Sequence, residues 1–100
     1  MRYYRQNYGK QNRHAQHHAN GMVACFSYRT LVAVFYKSLP DGGLRTSQYY
    51  SVTTSRHCNA FDREFGPFLK RTPEATPEEL YAAFDNINAM SNKQEGGQHA

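Results

Sequence analysis

Residues 23–38 read VACFSYRTLVAVFYKS, and this one run of apolar, β-branched and aromatic residues constrains the fold more than any other stretch. Such side chains suit a pleated, half-buried surface, so the run predicts a long strand. LPDGG follows, with Pro40 and an Asp41-Gly42 pair that signal a hairpin turn. LRTSQYYSVT, residues 44–53, predicts the return strand. With Pro40 opposite Gly43, Phe35 pairs with Gln48, Ala33 with Tyr50 and Leu31 with Val52, all on one face because alternate residues point the same way. The other face then gathers Tyr28, Val32, Val34, Tyr36, Arg45 and Tyr49.

Two helices are expected after the hairpin. Thr54 or Ser55 caps the first, its side-chain oxygen accepting from the free N–H groups of the opening turn. Cys58, Phe61, Phe65 and Phe68 recur at helical spacing as an apolar stripe, and Gly66-Pro67 is a stop signal. Thr76-Pro77-Glu78-Glu79 opens the second helix: Thr76 caps, Pro77 takes the first helical position, and Glu79 completes a capping box. Leu80, Phe84 and Ile87 form its buried stripe. An isolated hairpin is marginal in water. One helix covers the Leu31/Ala33/Phe35 face, and the tyrosine-rich face awaits the second helix, a twin subunit or a ligand.

The ends differ in composition. RYYRQNYGKQNRHAQHHANG has no period of 2 or 3.6 and almost no aliphatic residue, so residues 1–21 predict a disordered, basic, Gln/Asn/His-rich tail. The composition changes at Met22, which suggests Met22 as the true start. SNKQEGGQHA, residues 91–100, predicts a second disordered tail, leaving a domain over 22–90. Four of the twelve Lys/Arg and none of the eight acids lie before Met22, so the net charge of +4 belongs to the tail. Such a tail adds nonspecific phosphate affinity. No apolar run approaches the ~18 residues of a membrane helix, and the N-terminus lacks the apolar segment of a secretory signal. A soluble, cytoplasmic protein without membrane partners is expected. Cys25 and Cys58 are too few for a disulfide framework and are expected to be reduced.

The stretches SYRTLVAVFY and YSVTTSRHCNAF resemble a group of small uncharacterised proteins encoded by tailed bacteriophages, with a pattern S-Y-x-T-x-V-A, a hairpin, then Y-S-x-T-T-S-x-H-x-N. The matching positions are Ser27, Tyr28, Thr30, Val32 and Ala33, then Tyr50, Ser51, Thr53, Thr54, Ser55, His57 and Asn59, and the resemblance spans residues 26–65. It implies a phage accessory protein working in the host cytoplasm, and it supplies no activity. Members of this kind begin close to the SYRT stretch, in keeping with a start at Met22.

Thr54, Ser55, Arg56 and His57 place hydroxyls, free amides and a cation at a helix start, which is a ready site for phosphate or another anion. The plain structural alternative is capping, which accounts for the hydroxyls but not for both Arg56 and His57. Tyr28, Tyr36, Arg45 and Tyr49 offer rings and a cation for stacking bases or docking a partner, against the alternative of ordinary half-buried tyrosines. His14, His17 and His18 would suit a metal only on a helix, and Cys58 beside His57 makes no zinc pattern, so no metal or cofactor is expected. Ser55 and His57 stand two apart and diverge on a helix, so no catalytic residues are assigned.

The expectation is an α+β fold: a long antiparallel β-hairpin packed by two helices, with a disordered N-terminal tail. The expected function is binding rather than catalysis, with nucleic acid as the leading ligand. The alternatives are a host protein inhibited or modulated through the tyrosine face, or an assembly role in the particle. A homodimer through edge-strand pairing is a further expectation.

Overall fold

The computed structural model describes residues 3–8, 12–39, 42–66 and 73–99, with side chains described as far as Met90. The fold is α+β. A six-stranded sheet runs in sequence order: β1 Tyr3–Asn7, β2 Arg13–His18, β3 Val23–Ser27, β4 Thr30–Phe35, β5 Gly43–Thr46 and β6 Glu74–Ala75. Neighbours are antiparallel except β5 and β6, which are parallel and joined across helix α1, Val52–Phe65. Helix α2, Pro77–His99, follows β6 directly.

The helices lie on opposite faces of the sheet. Cys58, Phe61 and Phe65 of α1 pack on Ala15, Cys25, Ala33 and Phe35. Leu80, Phe84 and Ile87 of α2 pack on Met22, Ala24, Leu31 and Val34. The second helix therefore covers the face that the sequence left open. A strand covered on both faces needs apolar residues at every position, and that is why Leu31–Phe35 of β4 is continuously buried.

Three expectations are corrected. The run over residues 23–38 is two strands, because Ser27 pairs with Thr30 and Tyr28-Arg29 forms a two-residue turn between them. Tyr28 has φ +57 there, a conformation such turns normally give to glycine. A register shift between Cys25 and Phe26 leaves Val32 without a partner, so Leu31 faces α2 while Ala33 and Phe35 face α1. The three do not share a face.

The return strand is shorter and pairs earlier. Phe35 stands opposite Gly43 and Ala33 opposite Arg45, in place of Gln48 and Tyr50. This register requires a glycine opposite Phe35, since a Cβ on Gly43 would sit 2.7 Å from Cδ1 of Phe35. Pro40 and Asp41 of the intervening turn, and Pro67 and Phe68 after α1, lie outside the described residues. Gly66 does stand at the C-terminal cap of α1.

Residues 3–7 and 13–18, expected within a disordered tail, form an antiparallel pair that extends the sheet beyond β3. The inward side chains are histidine and alanine rather than aliphatic, and histidine rings do the packing. His14 stacks on Phe26 at 4.7 Å, His17 on Tyr4 at 4.6 Å, and His18 meets the edge of Phe84 at 5.6 Å. Aromatic cross-strand pairs stabilise sheets much as apolar ones do. A start at Met22 would remove both strands.

Helix α2 runs from Pro77 to His99. At its start α2 has the expected capping box: the Glu79 N–H donates to Thr76 Oγ1 at 3.2 Å, and the Thr76 N–H to Glu79 Oε1 at 3.1 Å. These bonds hold the Glu79 carboxyl below its usual range.

Candidate nucleic-acid interface

The start of α1 is organised by hydroxyls. Ser51, not Thr54 or Ser55, is the N-cap, and its Oγ accepts from the Thr54 N–H at 3.0 Å. Thr54 is therefore inside the first turn, where its side chain turns inward. Ser51 Oγ donates to Thr54 Oγ1 at 3.2 Å, Thr54 Oγ1 lies 3.0 Å from Ser27 Oγ, and Ser27 Oγ lies 2.7 Å from His57 Nδ1. Each hydroxyl has one proton to give. If Ser51 donates to Thr54, the chain completes with Thr54 donating to Ser27 and Ser27 to His57 Nδ1. The His57 proton then sits on Nε2. His57 is 7% exposed and Nε2 has no hydrogen-bond partner among the described residues, yet it is not among the buried orphan polar atoms. Its outer edge opens into a pocket.

That pocket, about 390 Å³, is lined by Arg13, Thr53, Arg56, His57, Ala60 and Arg63. A second pocket of about 380 Å³ adjoins it at the end of the sheet, lined by Arg5, Asn7, Asn12, Arg13, Tyr28 and Arg29 together with His14. Arg13 belongs to both. Among the described residues, five arginines and no acid therefore line one rim. The Tyr28 N–H donates to the Asn12 carbonyl at 2.6 Å and ties the β3–β4 turn to the β1–β2 end. Arg13 is held in place, its guanidinium 4.0 Å over the Tyr8 ring. Two acids nearby have partners of their own. Asp62 pairs with Arg45 at 2.6 Å, and Glu64 accepts from the Tyr8 hydroxyl, an arrangement that with burial pushes the Tyr8 phenol well up. Arg5, Arg29, Arg56 and Arg63 have no acidic partner among the described residues.

The expected anion residues divide. Arg56 and His57 line the rim, Thr54 is consumed in the buried relay, and Ser55 is half-buried outside the pocket lining. Because α1 begins at Val52, Arg56 and His57 belong to its second turn, and Thr53 is the first-turn residue at the pocket. The expected partner set also separates. Tyr28 stands at the rim, Tyr36 is half-buried against the α2-side core, Arg45 is paired with Asp62 and Asn59 on the α1 side, and Tyr49 is exposed before α1. Sequence reasoning missed Arg5, Arg13, Arg29 and Arg63. Arg13 shares the α1 face of β2 with Ala15, and no apolar period in RHAQHH marks that face. Both cysteines are free and buried, and burial raises both thiols. No helix among the described residues is long and apolar enough to cross a membrane.

Three histidines set a pH dependence. Burial lowers His14, His18 and His57 below the ordinary imidazole value, and Arg5, His17 and Arg13 respectively add to the effect. The unfolded chain therefore binds more protons than the folded one once the pH drops past about 6.5, and stability is lost on the acid side. Thermal midpoints are expected to be level above about pH 7 and to fall between about pH 6.5 and 5, before carboxylates titrate. A midpoint that stays level down to about pH 5 would contradict the burial of these rings.

The structure thus defines a small α+β domain with a sheet covered on both faces and an arginine-lined rim. The chain belongs to DUF8033, a family of unknown function, which it matches over residues 2–76. The matched span holds all six strands and α1, and ends at Thr76, the cap of α2. No curated protein matches the chain, and no solved structure does.

Proposed function

We propose that the protein binds nucleic acid through phosphate contacts at this rim, acting by binding rather than catalysis. The observation that carries the proposal is the set of five arginines lining two adjoining pockets, with no acid among the described lining residues. Guanidinium groups present paired donors that match phosphate oxygens, and a held arginine loses less freedom on binding. His57 adds a neutral Nε2–H donor at the same pocket. The resemblance to tailed-phage proteins fits an accessory role in a host cytoplasm. A second reading, docking to a host protein, is favoured by the exposed Tyr3 and Tyr4 on edge strand β1, beside an apolar patch with His17 and His18.

Anisotropy titrations of the full chain with labelled single-stranded and duplex DNA and RNA test the proposal. Binding should weaken steeply with salt, because neutralised phosphates release counterions. The double variant Arg56→Ala/Arg63→Ala removes two exposed cations and should leave the thermal midpoint unchanged. It should flatten the log–log salt slope by about 1.4, at roughly 0.7 per phosphate contact on a single strand. Absence of binding, or binding indifferent to salt, would count against phosphate recognition and leave protein docking through Tyr3 and Tyr4.

A further inference from the structure

We infer that the nucleic acid is single-stranded and that one of its bases stacks on Tyr28 where the phosphate chain crosses the sheet end; this rests on the nucleic-acid reading above. Tyr28 lines the pocket that holds Arg5 and Arg29, and its ring centroid is 6.1 Å from that of His57, which lines the other pocket. A chain whose phosphates pass from one pocket to the other by way of Arg13 runs beside this ring. Tyr28 is 51% exposed, whereas Tyr36, which follows β4, is half-buried against the α2-side core.

The backbone adds a second argument. Tyr28 is the one non-glycine residue with positive φ among the described residues, at a turn position that favours glycine. A side chain there costs about 1–2 kcal/mol, and it contributes little packing in return because half of it faces solvent. Strained residues of this kind concentrate at functional sites. Aromatic rings beside a basic track hold single strands by stacking unpaired bases, whatever their identity. In a duplex the bases are already stacked and their faces are unavailable.

The test uses the full chain and three probes: an oligodeoxythymidine, the same oligonucleotide with abasic residues, and inorganic polyphosphate. Tyr28→Gly relieves the backbone, so its thermal midpoint should equal or exceed the parent's. It should lose about five- to a hundredfold in affinity for oligodeoxythymidine, the range that stacking of one base spans. Polyphosphate affinity should not change, and Tyr28→Phe should keep oligonucleotide binding. The abasic probe should bind the parent about as weakly as oligodeoxythymidine binds Tyr28→Gly. If Tyr28→Gly binds oligodeoxythymidine like the parent while Arg56→Ala still weakens it, stacking is overturned and phosphate recognition stands. If the parent binds neither oligodeoxythymidine nor polyphosphate, the nucleic-acid reading fails and stacking fails with it.

Discussion

Deleting residues 1–21 is expected to abolish cooperative unfolding rather than trim a tail. The deletion removes β1 and β2, and with them Ala15, His14 and His18, all buried. It strips β2 from β3 along the register from Arg13↔Ser27 to His17↔Val23, turning an interior strand into an edge. Cys25 would lose Ala15, its neighbour on the α1 face, and Phe61 would lose Tyr8. Phe26 and Phe84 would lose the rings of His14 and His18. A small domain has about 5–15 kcal/mol in total, and several core side chains at about 1.5–3 kcal/mol each exhaust that. The measurement is a thermal melt followed by circular dichroism on residues 22–100 beside the full chain. A sharp transition at the parental midpoint would show that the β1–β2 pair is dispensable and restore Met22 as a workable start. The family match from residue 2 onward agrees with a domain that includes these strands.

Phe61→Ala should be the most destabilising single truncation, at about 3–5 kcal/mol. Phe61 is fully buried and is the largest such side chain. It meets Tyr8 edge-on at 6.0 Å and Phe65 at 6.3 Å, and lies under the guanidinium of Arg13 at 5.4 Å. One truncation therefore opens a cavity between α1 and the sheet and withdraws support from the arginine shared by both pockets. At about 4–8 °C per kcal/mol for a domain of this size, the midpoint should drop by well over 10 °C. Phe61→Leu keeps most of the volume and should cost far less. A loss below about 1 kcal/mol for Phe61→Ala would mean that the α1 face tolerates voids, contrary to close packing.

Several elements were legible because they rest on local chemistry. Thr76 and Glu79 satisfy each other within four residues, Gly66 ends α1, and Cys58, Phe61 and Phe65 repeat at helical spacing. What stayed hidden depended on partners far away in sequence. The inward side of β2 is histidine and alanine, so no apolar period marks it, and its stacking partners Phe26 and Phe84 lie on other elements. The β3–β4 break is masked because a tyrosine occupies the glycine slot of the turn. The helix start moved to Ser51 because Thr54 is drawn inward by Ser27, a contact spanning 27 positions. At the rim, Arg56 and His57 were visible beside each other. Arg5, Arg13 and Arg29 join them only when the sheet brings the β1–β2 and β3–β4 ends together.

The parallel seam between β5 and β6 has a consequence for chain entropy. The other neighbouring strands are separated by two to seven residues of chain, so each pair closes at smaller entropic cost. The β5–β6 seam closes a loop that contains the whole of α1. Closure cost grows with the logarithm of loop length, which puts this seam at about 1–2 kcal/mol above a short hairpin. Strand β6 answers with two residues and the bonds from Arg45 N–H to Pro73 O and Ser47 N–H to Ala75 O. These bonds add to the Arg45↔Glu74 and Thr46↔Ala75 pairing, at about 1 kcal/mol each. What fastens the seam is its position in the chain: α2 begins two residues after β6, and the burial of Leu80 and Ile87 anchors it. The last strand behaves as a stitch tied off by the helix that follows, so the topology of the sheet depends on a helix that lies beyond the span matched by the family.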